Sequence, residues 1–148
     1  MEGNMESWQA IPEKVSLSEY YKKYASPSFY KSIKYISWAL YGVAAVNAVP
    51  LIFMAFNILM WADVVLVGAM GIALQLHKKA STARALLVYA ILNLLGAFAL
   101  PLDGFLETVL LGIAIAAMKT FHDAKKEYKR LKKAAAANPK RSIQSSEL

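Results

Sequence analysis

Residues 61–68 read Trp-Ala-Asp-Val-Val-Leu-Val-Gly, and residues 105–112 read Phe-Leu-Glu-Thr-Val-Leu-Leu-Gly. Each stretch runs aromatic, apolar, acid, then Val-Leu at the fifth and sixth places and Gly at the eighth. Each opens a long apolar segment that ends at lysines. Between Ile36 and Met118 the only charges are Asp63, Lys78, Lys79, Arg84, Asp103 and Glu107. The runs left between them approach the ~20 residues that cross a bilayer as a helix. The chain of 148 residues is 57% hydrophobic and 18% charged, with a mean hydropathy of +0.37. A soluble domain carries roughly a quarter charged residues, and one this small would have to hide all that apolar surface in a single core. The pattern predicts an all-α integral membrane protein with transmembrane helices over about 36–55, 58–77, 84–100 and 104–120.

The bases set the orientation. All 17 lysines and arginines fall within 1–34, 78–84 or 119–141, and none lies near 56–58 or 101–104. Positive charge is retained on the cytoplasmic side. Both termini and the middle loop are therefore expected inside, in a multi-pass plasma-membrane topology. The net charge of +7 follows this distribution and gives no reason to invoke nucleic acid. No cysteine is present, which removes disulfides, thiolate metal sites and cysteine nucleophiles. The first residues carry acids, and no apolar run follows before residue 36. A cleavable signal peptide is therefore not expected, and the first apolar segment should stay as an anchor.

Outward from the opening pair, the two hairpins match. The first holds Asn47 and then Asp63; the second holds Asn93 and then Glu107. Each unit has two spans, so the two would be parallel repeats related by an axis along the membrane normal. Chance resemblance between apolar helices is the rival explanation.

The flanks are polar. Residues 1–15 read as a flexible cytoplasmic tail. Ser16 and Glu19 have capping-box spacing, and Val15 with Tyr20 that of a hydrophobic staple. Leu17, Tyr20, Tyr21 and Tyr24 share one helical face, which predicts a short amphipathic helix lying in the headgroup zone, with packing on a neighbouring soluble segment as the alternative. Over 16–35 this helix leads into the first span. Ser26-Pro27 is a helix start, and Phe29, Tyr30, Tyr35 and Trp38 read as an interfacial aromatic belt. Pro50 should kink or end the first span. Past the fourth span a basic cytoplasmic helix is expected over 121–137, then a disordered tail over 138–148.

Asp63 and Glu107 are the candidates for chemistry, because an ionisable group within a span is costly and usually functional or paired. A cap or interface role at the outer ends of their helices is the leading expectation. A cation or proton site comes next, and a structural hydrogen bond to Asn47 or Asn93 last. The two asparagines are expected to hydrogen-bond across helices. Small residues spaced four apart, Ala69 with Ala73 and Gly112 with Ala116, suggest close helix packing within the bundle or between copies. Lys119, Lys125, Lys126, Lys129, Arg130, Lys132 and Lys133 form a juxtamembrane cluster that would attract anionic lipid or simply enforce topology. His77 and His122 have no ligand spacing, so no metal is expected, and no cofactor motif, nucleophile motif or phosphate loop is present. The expected function is a non-enzymatic membrane interaction or accessory subunit, with the bilayer and a membrane-protein partner or a second copy as its company. The alternative is a homo-oligomeric transporter or channel that couples a cation or proton through the two acids.

Overall fold

In the computed structural model, residues 15–53, 58–99 and 104–137 are described. The tails expected over 1–15 and 138–148 lie outside them, Val15 excepted. So do Asp103 and the last residues of the spans expected over 36–55 and 84–100. All described secondary structure is helical. A single turn, α1 (Leu17–Glu19), runs into a π-helical turn over Tyr20–Tyr24. Four long helices follow: α2 (Pro27–Phe53), α3 (Ile58–His77), α4 (Ala80–Ala99) and α5 (Phe105–Ala137). An apolar window over Ala80–Ala97 and α5 are each long and apolar enough to cross a membrane, and Trp61–His77 is a shorter apolar stretch. This is an indication of membrane association.

Local chemistry explains the helix ends. Ser16 Oγ accepts from the Glu19 N–H at 3.2 Å and caps α1. The Ala25 N–H closes the π turn on the Tyr20 carbonyl at 2.9 Å. Pro27 opens α2, where its missing N–H costs nothing. Pro50 does not end α2, which continues to Phe53. At the α3–α4 junction Lys78 has φ 46, and its N–H reaches back to the Leu74 carbonyl at 3.1 Å. This is the left-handed helix cap usually made by Gly.

Buried residues recur at alternating steps of three and four. On α2 they are Phe29, Ile33, Ile36, Leu40 and Val43; on α4, Ala83, Leu86, Ala90 and Ala97; on α5, Leu110, Ala114, Ala117, Phe121 and Ala124. That heptad spacing keeps one stripe of each helix against its neighbours. Accordingly α2 packs along α3, α4 along α5, and α2 also meets α5. The alanine-lined seam brings α4 and α5 close together. By contrast, a Cβ at Gly42, Gly68, Gly96 or Gly112 would meet nothing within 4 Å, and Ala69 and Ala116 are exposed. Of the small pairs expected to pack within the bundle or between copies, Ala69, Gly112 and Ala116 therefore face away from this chain's own helices, while Ala73 is partly buried. Gly71 is the exception. A Cβ there would lie 2.7 Å from Tyr41 Cε1, and Tyr41 Oη donates to Gln75 Oε1 at 3.1 Å.

The N-terminal segment corrects two expectations. Its aromatic face is turned onto α5 and is not free for headgroups: Tyr20 is 0% exposed and Tyr21 4%. Tyr21 stacks on Phe29 and meets Phe121 edge-on, with centroids 5.6 and 5.2 Å apart. Tyr21 Oη donates to the Phe121 carbonyl at 3.3 Å, and Tyr128 Oη to the Val15 carbonyl at 2.8 Å. Phe29 is likewise core and not belt, whereas Tyr35 and Trp38 are exposed. The physical reason is that the apolar stripe of α5 continues through Phe121, Ala124, Tyr128 and Leu131. Left bare, that stripe would be wetted over about three turns.

Two outcomes are expected. Gly71→Ala should lower thermal stability in detergent by about 1–3 kcal/mol through overpacking against Tyr41, while Gly112→Ala should leave it unchanged; equal effects would contradict the α2–α3 packing. Tyr128→Phe should speed amide hydrogen exchange over residues 15–25, through the loss of one hydrogen bond worth about 0.5–1.5 kcal/mol. Tyr20→Phe should not, because Tyr20 Oη is buried without a partner. Burial, and then the nearby Glu127 carboxylate, raise the Tyr20 hydroxyl above the ordinary phenol value of 10.0. The folded state holds this proton more tightly than the unfolded one. Docking should therefore be intact below about pH 10 and weaken as the pH rises beyond it.

Candidate functional site

Each seam, extended by one heptad step toward the end remote from the lysines, arrives at a polar residue. The α2 series 36, 40, 43 reaches Asn47, and the α4 series 86, 90 reaches Asn93 before Ala97. The α5 series 117, 114, 110 reaches Glu107, and on α3 Leu74 and Val67 lead to Asp63. All four are half-buried. Because consecutive helices alternate in direction, all four fall at one level and form a polar layer near that end.

Asp63 is its centre. Asn47 Nδ2 donates to Asp63 Oδ2, and Asn93 Nδ2 donates to Oδ1, each at 3.4 Å. One carboxylate thus joins helices from both hairpins. These are long bonds, and amide contacts between apolar helices average about 0.6 kcal/mol each. Their value is in orientation: both oxygens of Asp63 face inward. The cap reading of Asp63 is corrected by the helix start. The chain is helical from Ile58, so Asp63 lies five residues, about 7.5 Å, into α3. There the backbone N–H groups are already engaged within the helix.

Glu107 is placed differently. It is the third residue of α5 and lies in its first turn, where exposed N–H groups and the helix dipole favour a negative charge. The turn before it is fixed by Thr108, whose backbone N–H and Oγ1 both donate to the Gly104 carbonyl at 3.1 and 2.8 Å. Yet Glu107 Oε2 is buried with no hydrogen-bond partner, and the indole Nε1 of Trp61 is also buried and unpartnered. Among the described residues no base pairs with either acid. The layer therefore holds two carboxylates, two amides already spent on one of them, and one carboxylate oxygen left unsatisfied.

The other sequence candidates are not drawn into this layer. Lys119, Lys125, Lys126, Lys129, Arg130, Lys132 and Lys133 are all exposed along the far end of α5. His77 and His122 are exposed, and among the described residues no three His, Asp or Glu gather as metal ligands. Three features escaped the sequence reading. They are the Tyr41–Gln75 bond, the docking of Tyr21 and Tyr128, and two clefts at the lysine end. One cleft, of about 190 Å³, is lined by Ser26, Ser28, Ser32, Thr120, Asp123 and Glu127; the other lies between α2 and α3. The heptad register of the four polar residues is itself a signal in the sequence; the clefts left none.

Asp63→Leu should lose both amide contacts and cost about 1–3 kcal/mol for the stranded polar groups, whereas Asp63→Asn should cost less because its oxygen still accepts. In thermal unfolding, Asn47→Ala and Asn93→Ala should each lose most of their effect in an Asp63→Leu background. Full additivity would show that the amides do not act through Asp63. No family model, characterised relative or solved structure matches the chain.

Proposed function

We propose that the chain is a four-span plasma-membrane protein with both termini in the cytoplasm, and that it works as a non-enzymatic interaction or accessory subunit. The observation that carries this reading is the outer surface of the long helices. Val46 and Ile52 on α2, Val65 and Ile72 on α3, Leu92 and Leu95 on α4 and Ile115 on α5 are each more than half exposed. A water-facing surface of that kind would be an aggregation hazard, whereas in a bilayer it is the normal solvent contact. Gly42, Gly68 and Gly112 open on the same outer surface, where small residues let another helix approach closely. Below the polar layer the interior is filled: Val67, Leu74, Leu86, Ala90, Ala114 and Ala117 are 0% exposed. The two matched hairpins then read as parallel repeats, each contributing an asparagine to the shared carboxylate.

A partner of defined composition should co-purify in mild detergent, and Gly42→Leu or Gly112→Leu should weaken its recovery. Recovery of a lone monomer across several gentle conditions, with neither substitution having any effect, would remove this reading.

A second reading rests on the unsatisfied Glu107 oxygen in the same polar layer as Asp63. Two carboxylates in one poorly hydrated layer repel, and either a proton or a cation between them relieves the repulsion. This supports a homo-oligomeric transporter or channel coupled to a cation or proton, with the filled interior placing any pathway between copies. In liposomes, Asp63→Asn and Glu107→Gln should each abolish flux that the parent chain supports; unchanged flux in both variants would exclude the acids.

A further inference from the structure

We propose that the cleft between α2 and α3 at the lysine-bearing end is a binding site for one anionic phospholipid, a proposal that rests on the membrane reading above. The cleft has a volume of about 370 Å³ and is lined by Tyr30, Ile33 and Lys34 of α2 and by Gln75, Leu76 and Lys78 at the end of α3. Its chemistry divides into two parts. Lys34 and Lys78 supply two ammonium groups and Gln75 an amide, which suit a phosphodiester. Ile33, Leu76 and the ring of Tyr30 supply apolar wall, which suits the first carbons of an acyl chain and offers nothing to a free aqueous anion.

Three observations favour an anionic occupant over an empty groove. First, no acid lines this cleft, and among the described residues no carboxylate lies within ion-pair distance of Lys34 or Lys78. The neighbouring cleft, with Asp123 and Glu127 in its wall, has the opposite character. Second, Lys78 is held in place by an aromatic face, its Nζ lying 4.8 Å from the Tyr30 ring centroid. A cation over a ring keeps its charge and its remaining N–H donors for another partner. Third, Lys78 occupies the left-handed cap position at φ 46, which crowds a residue with a Cβ and which Gly or Asn would fill more easily. A lysine kept at such a position points to work done by its side chain.

The placement suits a lipid. The bases that bracket the apolar segments mark the cytoplasmic boundary, and Leu76, directly before them, is 67% exposed. Basic pockets between helices at that level are suited to anionic headgroups. The α5 lysines, all exposed on an extension beyond the boundary, provide a diffuse field; the α2–α3 cleft provides a shaped site.

The test is native mass spectrometry of the full chain in detergent, titrated separately with phosphatidylglycerol, phosphatidylcholine and inorganic phosphate. One phosphatidylglycerol should be retained. The double variant Lys34→Gln/Lys78→Asn should bind it about thirtyfold more weakly, from two lost charge contacts. Asn relieves the left-handed backbone, so the melting temperature of the double variant should not fall, which separates loss of the site from loss of fold. A charge-matched control, Lys22→Gln/Lys23→Gln, should retain full binding. Equal weakening in the control would reduce the effect to net charge and overturn the site, as would equal retention of phosphatidylcholine. Displacement of the lipid by millimolar phosphate would assign the cleft to a free anion and overturn the lipid. A chain that stays in aqueous solution without detergent and retains no lipid of any headgroup would instead refute the membrane reading itself.

Discussion

The continuous apolar stripe of α5 is the constraint that organises the molecule. It runs from Leu110 through Ala114, Ala117, Phe121 and Ala124 to Tyr128 and Leu131, and the exposed bases of the helix begin at Lys119, part-way along it. No single neighbour is long enough to cover it. The Ala83, Leu86 and Ala90 seam of α4 covers the first half, with α2 alongside. The second half projects beyond the apolar part of the chain, and the N-terminal aromatic segment closes over it. Two chain regions about a hundred residues apart are thereby fastened by Tyr21 to Phe121 and by Tyr128 to Val15. The hydrogen bonds are directional locks on a contact whose driving force is burial of rings.

At the opposite end the same register produces the polar layer. A heptad stripe that is apolar for most of its length and then meets Asn47, Asp63, Asn93 and Glu107 on four helices must either satisfy those groups internally or leave them in a poorly solvating medium. The chain satisfies three of them with one carboxylate. The asymmetry is informative: the hairpins look equivalent in sequence, yet both asparagines turn to Asp63, and a Glu107 oxygen is left unpartnered. Position along the helix is the cause. Asp63 lies past the first turn of α3, deep enough to be reached from α2 and α4, whereas Glu107 sits within the first turn of α5, where the helix end already favours its charge.

Composition and spacing alone account for much of this. The apolar runs, the lysine clusters and the turn residues between them make helices the only economical reading, and all described secondary structure is helical. Asn47, Asp63, Asn93 and Glu107 stood out as polar residues in apolar surroundings, and their heptad register was present in the sequence. What was not legible was partner choice. An amphipathic segment with an aromatic face suits a membrane surface and a neighbouring helix equally well, because both bury rings. A pair of small residues suits intramolecular and intermolecular packing equally well. The cleft beside Lys78 depends on one backbone angle and on the Tyr30 ring beneath the lysine, neither of which a residue type encodes by itself.

The sequence by itself determined the helices, their apolar character and the level at which polar groups occur, because these follow from periodicity and transfer free energy, which are local. Only the tertiary structure decided that Asp63 is shared by two amides, that Gly71 and not the other described glycines meets a neighbouring ring closely, and that Tyr20 and Tyr21 are covered by α5. Each of these depends on which face of one helix meets which face of another, and that is a property of the packed whole.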